Sequence, residues 1–357
     1  LLPFFQMNTC VFPEMGNSEN RALAKKPSIS ETGLVHIHTY MNAYTSYFND
    51  NFGFRTKLIH LNNSIDVNFF GISPHPLVAI GRDGWLFYNN PNDNGGFKDF
   101  YGAIPYTVEE MNAISLYIDT LIAEFQKRGI TYLIVLAPNK ETIYPENLAA
   151  NVKSKQGERT RADQILSLME KKRASYLDLR DSLRKAKGLY GYPLYYMTDT
   201  HWNKLGAFVG SQNIVEILHS RYPEIRPLNM DDFYIQGSQG YSKGDLAGFI
   251  NMAGAMADTD VIISPRTPSL AECTKRSEIN SHAWATWASP EKKLPRLLAF
   301  HDSFLSNVIP FLSDRFSYCS YVWSSTVDFS IVDQERPDIV IFEFVERFSS
   351  KSILPGS

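Results

Sequence analysis

The stretch 296–304, RLLAFHDSF, constrains this chain more than any other. Leu297, Leu298, Ala299 and Phe300 make an apolar run of the length of a buried parallel strand, since a strand covered on both faces needs no polar alternation. Asp302 and Ser303 then fall where the strand ends, and open α/β sheets bind their ligands beyond the carboxyl ends of their strands. Phe304, Leu305, Val308, Ile309, Phe311 and Leu312 follow at helical spacing, so a helix is expected to start at the serine. Its first N–H groups would be unpaired and open to an oxyanion.

A serine hydroxyl is a poor nucleophile alone and needs an imidazole to take its proton and a carboxylate to orient that imidazole. The stretch 198–203, TDTHWN, offers both, as Asp199 and His201. Two-residue spacing on an extended segment sends both side chains to one side. The alternative for His201 is a hydrogen-bonded core histidine. Trp202 either packs to hold this loop or lies against substrate. A histidine base predicts a rate that falls on the acid side of about pH 6–7.

The rest of the chain alternates strand and helix signals, which predicts an α/β fold: a parallel sheet with helices on both sides. Residues 1–30 are punctuated by proline and glycine, and 34–70 read as two short helices broken at 50–55. We expect 1–75 to form an N-terminal arm packed on a main domain spanning 76–357. PLVAIGRDGWLFY reads as strand, tight turn at Asp83-Gly84, and strand. Thr107 and Glu110 make a capping box for a helix ending at Gly129. ITYLIVLAPNK is a buried strand with Asn139 and Lys140 at its C-terminal end, either touching substrate or merely turning the chain. A helix over 158–173, a strand at 175–179, a basic helix ending at Gly188, a strand-like LYYM before TDTHWN and a helix after it complete the middle. RFSYCSYVW and DIVIFEFVER are later strands. The polar segment 265–295 carries Trp284 and Trp287, which either stack on sugars or pack.

GYSKG at 240–244 fits the GxSxG elbow of α/β-hydrolases and makes Ser242 the rival nucleophile. QGSQ separates it from the strand it needs, and His282 and His301 have no carboxylate partner in the usual order, so a glycine-rich rim loop is the simpler reading. His36 and His38 lack a third metal ligand at a recognisable spacing. A net charge of -3, with 35 Lys+Arg against 38 Asp+Glu, offers no basic stripe for nucleic acid. No apolar run reaches the length of a membrane-spanning helix. Three cysteines, Cys10, Cys273 and Cys319, allow at most one bridge; free core thiols are the other reading. The start at Leu1 with LLPFF implies a removed leader or membrane anchor.

TDTHWN and DSF after an apolar strand, with GRDGWLFY at 81–88, PNKETIYPE at 138–146 and RPDIVIFEFVER at 336–347, resemble the polysaccharide O-acetyltransferases of the alginate AlgX/AlgJ group, within the SGNH-hydrolase-like superfamily. That resemblance implies a Ser-His-Asp triad of Ser303, His201 and Asp199, in circularly permuted order because Asp199 and His201 precede the serine. His301 stands where the ordinary superfamily has Gly. The close of the sequence soon after 347 resembles the single-domain AlgJ-like form, without the carbohydrate-binding module of AlgX. Glu346 and Arg347 occupy the place of the superfamily's oxyanion-hole asparagine. Arg347 is therefore an oxyanion or donor ligand, unless the two form a solvated ion pair; the Ser303 N–H is the first candidate donor.

The resemblance implies acetyl transfer onto exopolysaccharide hydroxyls through an acetyl-serine, by a periplasmic or otherwise extracytoplasmic protein. A membrane-bound O-acyltransferase would supply the acetyl group, with no cofactor and no metal. A carbohydrate acetylesterase is the nearest alternative, since hydrolysis uses the same apparatus. A non-catalytic polysaccharide-binding subunit of an export complex is the second.

Overall fold

The computed structural model describes residues 22–28, 37–241, 243–256 and 258–354. Among the described residues the first helices are α1 (Ile37–Asn51) and α2 (Arg55–Ile65), broken at 52–54 as the sequence indicates. α1 buries none of its residues, while α2 buries Asn63, whose amide donates to the carbonyl of Ile250 at 2.7 Å. Val67 then packs into a small cluster with Val78, Leu86, Leu246 and Ile250. The hairpin β1 (Val78–Ile80) and β2 (Leu86–Tyr88) turns through Asp83 and Gly84, both at positive φ. Asp and Gly are residues that tolerate that region.

α3 (Val108–Arg128) opens on the Thr107/Glu110 capping box and stops at Gly129 in the left-handed conformation. Then come β3 (Thr131–Ala137), α4 (Arg161–Lys171), β4 (Tyr176–Asp178), α5 (Arg180–Ala186) and α6 (Lys204–Arg221). A hairpin of β5 (Phe233–Tyr241) and β6 (Asp258–Pro265) brackets the short α7 (Asp245–Phe249). β7 (Glu272–Ile279), β8 (His282–Ala288), β9 (Arg296–His301), β10 (Tyr318–Trp323), α8 (Phe329–Glu335) and β11 (Ile339–Val345) complete the order.

The main sheet runs β4-β3-β11-β9-β10-β8-β7 among the described residues. Its first five strands are parallel, and β8 and β7 join antiparallel. The sheet is therefore mixed rather than wholly parallel, because the polar segment 265–295 contains a hairpin that extends the edge. On β9 and β11 alternate residues feed opposite cores, as a period of two requires. Leu297, Ala299, Ile339 and Ile341 meet α6 through Phe208 and Val215. Leu298, Phe300, Val340 and Phe342 join the core of α3, α4 and α8 through Ile118, Ile165 and Ile331. Both strands are buried almost end to end, which is why they read as unbroken apolar runs.

Two further expectations are corrected. LYYM is not a strand; 194–203 is a loop that folds back on itself through a single bridge, Tyr195 to Trp202. The helix expected from Phe304 is broken into a 3₁₀ turn at Leu305–Asn307, one α turn at Ile309–Leu312 and a 3₁₀ turn at Ser313–Arg315. The Phe304 carbonyl is diverted to the Trp202 indole N–H at 2.9 Å, and Pro310 has no N–H to continue the ladder. Cys273 and Cys319 are free, lying on strands either side of β8, about two strand spacings apart and beyond disulfide reach. Cys10, His36 and Ser242 fall outside the described residues.

Candidate active site

Ser303 follows the C-terminal end of β9, on the edge where β3 and β11 also end, and the 194–203 loop reaches it from beyond the sheet. His201 Nδ1 lies 2.7 Å from Asp199 Oδ1, and its Nε2 lies 2.7 Å from Ser303 Oγ. An ionised carboxylate only accepts, so Nδ1 carries the proton and Nε2 is left to accept from the serine hydroxyl. A serine nucleophile with its base and an orienting acid requires a hydrogen-bond line of this geometry. The Ser303 backbone N–H has no partner among the described residues.

The loop is held by elements the sequence did not single out. The N–H of Thr200 donates to Asp245 Oδ1 at 2.7 Å and its hydroxyl to Asp245 Oδ2 at 2.6 Å. In return the N–H of Asp245 donates to Asp199 Oδ2 at 3.1 Å, and the Tyr241 hydroxyl stands 3.4 Å from the same oxygen. Burial would raise the Asp199 pKa, but the hydrogen bonds from His201 and Asp245 outweigh it and hold the group below its ordinary range. One residue further out, Asp258 Oδ2 accepts from the N–H and hydroxyl of Thr198. Gly244 lies so close that a Cβ would sit 2.3 Å from the Thr198 carbonyl oxygen. The glycine of GYSKG therefore permits close approach to the TDTHW loop, and β5 with α7 belongs to a separate hairpin rather than to an elbow in the main sheet. Donor atoms of Asp199, His201 and Asp245 lie within 4.8 Å of one another, a grouping that these hydrogen bonds account for.

Lys140 is 2% exposed, and its ammonium donates to the carbonyls of Tyr196, Met197 and Asp199 at 3.0, 3.0 and 2.6 Å. It sits over the rings of Trp85 and Phe87, and burial lowers its pKa to about 8. As a substrate ligand Lys140 is corrected: it fastens the loop from behind. Trp202 is corrected likewise, being fully buried against Phe304. Leu86 on β2 donates to the Met197 carbonyl, so the GRDGWLFY hairpin also braces this loop.

On the nucleophile side, Asp302 Oδ1 accepts from the N–H of Phe304 and Oδ2 from the N–H of Val345, each at 2.8 Å. The Asp302 N–H donates in turn to Glu343, which is buried and whose pKa stands well above the carboxylate range through burial and the charge of Asp302. The Phe304 N–H is thus consumed and the Ser303 N–H is left.

Glu346 and Arg347 do not pair with each other. Glu346 points inward, accepting from Thr142 and from the Asn139 N–H, with Arg180 at 3.6 Å, and burial raises its pKa to about 7. Arg347 lies across the Phe304 ring at 5.0 Å and reaches the Asn139 side-chain oxygen at 3.5 Å. Asn139 and Arg347 line a polar cavity with Tyr88, Thr142 and Thr200. Trp284 donates its N–H to Ser320 and packs under Lys275, away from the triad residues.

Residues 78–272 match the family model for the SGNH hydrolase-like domain of the acetyltransferase AlgX. The chain belongs to that family. The AlgX-family match takes in Asp199 and His201 and ends before Ser303, so the serine joins the site by geometry. Among curated relatives, a protein named "Probable alginate O-acetylase AlgJ" from Pseudomonas aeruginosa is 25% identical over 58% of this chain and 50% of its own length. One of the same name from Pseudomonas syringae is 24% identical over 72% of this chain and 60% of its own. The chain spans about half the length of the curated relatives it matches. The fold is shared with Bacillus cereus PatB1, solved with a sulfonyl adduct, at TM-score 0.58 and 15% identity over 76% of this chain and 95% of that one. It is shared also with a DHHW family protein of Eubacterium siraeum, at TM-score 0.52 and 16% identity over 77% and 95%. This AlgX-family chain therefore has the SGNH hydrolase-like α/β fold.

Proposed function

We propose that this protein is a polysaccharide O-acetyltransferase in which Ser303 is the nucleophile, His201 the base and Asp199 its orienting acid. The observation that carries the reading is the unbroken line Asp199–His201–Ser303 at 2.7 Å per step, beside a Ser303 N–H that has no partner among the described residues. Ser303 Oγ attacks an acetyl carbonyl and its proton passes to His201 Nε2. Asp199 stabilises the imidazolium, and the donor's leaving group departs with that proton, giving acetyl-serine. A sugar hydroxyl then loses its proton to the same nitrogen and attacks the acyl carbon, returning Ser303. The Ser303 N–H holds the oxyanion, with Arg347 and Asn139 reaching the same cavity as further donor or substrate ligands.

The AlgJ names of the relatives support an exopolysaccharide acceptor. An extracytoplasmic, periplasmic setting and a membrane-bound O-acyltransferase as acetyl source follow from that reading. No helix among the described residues is long and apolar enough to cross a membrane. The partition into an arm over 1–75 and a catalytic domain over 76–357 is part of the proposal, supported by α1 burying none of its residues.

The test is intact-protein mass spectrometry after brief exposure to an activated acetyl ester, with and without an oligosaccharide acceptor. We expect an acetyl adduct on the wild type, none on Ser303→Ala, and acetyl appearing on the sugar. Acetate as the sole product across varied acceptors would make the protein an esterase. No adduct at all would leave a polysaccharide-binding subunit.

A further inference from the structure

The N–H that would meet the oxyanion belongs to the peptide joining Asp302 to Ser303. That peptide lies one step past β9, where the sheet ladder has ended, so no strand partner fixes its orientation. Its other polar group, the Asp302 carbonyl, is held instead by a side chain. His301 Nδ1 lies 2.7 Å from that oxygen. A carbonyl only accepts, so Nδ1 carries the proton and donates. No other donor among the described residues reaches this carbonyl.

A trans peptide is planar, and its C=O and N–H point in opposite directions. Fixing the Asp302 carbonyl therefore fixes the line along which the Ser303 N–H points. The imidazole is itself held in place. His301 is 4% exposed, its ring stands edge to face against Tyr321 at 6.2 Å and Trp323 at 5.8 Å, and its own carbonyl accepts from the Ser324 N–H at 3.1 Å. Burial lowers its pKa, so the ring donates as a neutral group. The remaining contacts of Asp302 hold other parts of the residue: its N–H goes to Glu343, and its carboxylate takes the N–H groups of Phe304 and Val345. Among the described residues only His301 grips the carbonyl that leads into Ser303.

We propose that His301 is a positioning residue for the oxyanion donor, its Nδ1–H locking the 302–303 peptide so that the Ser303 N–H faces the acyl oxygen. It moves no proton and touches no substrate. A donor aimed before the reaction begins needs no reorganisation as charge develops, and a carbonyl that accepts a bond polarises its own amide, which strengthens the N–H. The inference rests on the reading of Ser303 as nucleophile and adds what aims the N–H beside it.

The test compares wild type, His301→Asn and His301→Leu on an activated acetyl ester and on its thiono counterpart, in which sulfur replaces the carbonyl oxygen. Asparagine keeps an N–H donor where Nδ1 stands, and leucine fills similar space without one. Sulfur is a weak acceptor, so the oxygen ester gains far more from an aimed donor. His301→Leu should lower kcat for the oxygen ester about tenfold or more with KM little altered, short of the loss of a whole oxyanion donor. The thionoester rate should change much less, so the preference for oxygen over sulfur shrinks, and His301→Asn should restore most of the rate and the preference. His301→Ala serves if His301→Leu does not fold. Equal losses on both esters would make His301 a support of the fold alone and overturn the proposal. So would a His301→Leu as fast as wild type, or a His301→Asn as slow as His301→Leu. A wild type that forms no acetyl-serine removes the transferase reading and this inference with it, an outcome distinct from an adduct-forming protein indifferent to His301.

Discussion

Asp245 holds both polar groups of Thr200, the N–H at 2.7 Å and the hydroxyl at 2.6 Å, although 45 residues separate them. The Thr200 hydroxyl oxygen is in turn 3.1 Å from His201 Nδ1, so a carboxylate outside the triad sets the position of the histidine. Asp245→Ala should therefore lower kcat about ten- to hundredfold with KM little altered, a loss of roughly 1.4–2.7 kcal/mol of transition-state stabilisation. Steady-state turnover of an activated acetyl ester checks this. Thr200→Val should reproduce most of the effect, and unchanged rates in both would remove Asp245 from the site.

Ser303→Ala and His201→Ala should each abolish the acetyl adduct and reduce turnover by on the order of a thousandfold or more. The double variant should be no worse than either alone, since the two side chains act as one unit along the 2.7 Å contact. Ser242→Ala should retain the wild-type rate; its loss there instead would move the nucleophile to GYSKG.

Replacing Lys140 by Met removes the only donor that the described residues show for the carbonyls of Tyr196 and Asp199, and one of the two for that of Met197. Leaving buried acceptors unpaired costs about 1–3 kcal/mol each before relaxation. We expect urea denaturation to show a loss of at least about 2 kcal/mol, accompanied by reduced turnover because the same carbonyls shape the loop that carries His201. A variant as stable as wild type would mean the loop holds itself.

Glu346 supplies a pH dependence of stability. Its folded pKa is about 7 against an ordinary 4.5, because burial disfavours the carboxylate. The folded chain keeps this proton longer than the unfolded chain, so its contribution to stability is full below the ordinary value and is lost as pH rises through about 7. Thermal unfolding across pH 4.5 to 7 should show Glu346→Gln with a flatter fall in stability than wild type; parallel curves would refute the assignment.

Much of this was legible along the chain because it is local. The strand of Leu297 to Phe300, the Thr107 capping box with its Gly129 stop and the Asp83-Gly84 turn each depend on side chains a few residues apart, and each stands where the pattern puts it. Asp199, His201 and Ser303 were legible for a different reason: acyl chemistry needs those residue types, and two of them lie two residues apart. Local pattern misled where a distant group competes for the backbone. Helical spacing after Ser303 was overridden by the Trp202 indole taking the Phe304 carbonyl, and a charged lysine at a strand end could be a ligand or a turn residue until three loop carbonyls closed on it.

By itself the sequence determined the alternating α/β elements, the buried strand that leads to Ser303 and the choice of Asp199, His201 and Ser303 as candidates, because periodicity and residue chemistry are written into short stretches. Only the tertiary structure decided that the sheet closes with an antiparallel hairpin and that Asp245, Tyr241 and Lys140 converge on one loop. It alone also turned Glu346 inward, away from Arg347. Those outcomes depend on which buried donor meets which acceptor across tens to hundreds of residues, a matching that folding in three dimensions settles and that no local pattern encodes.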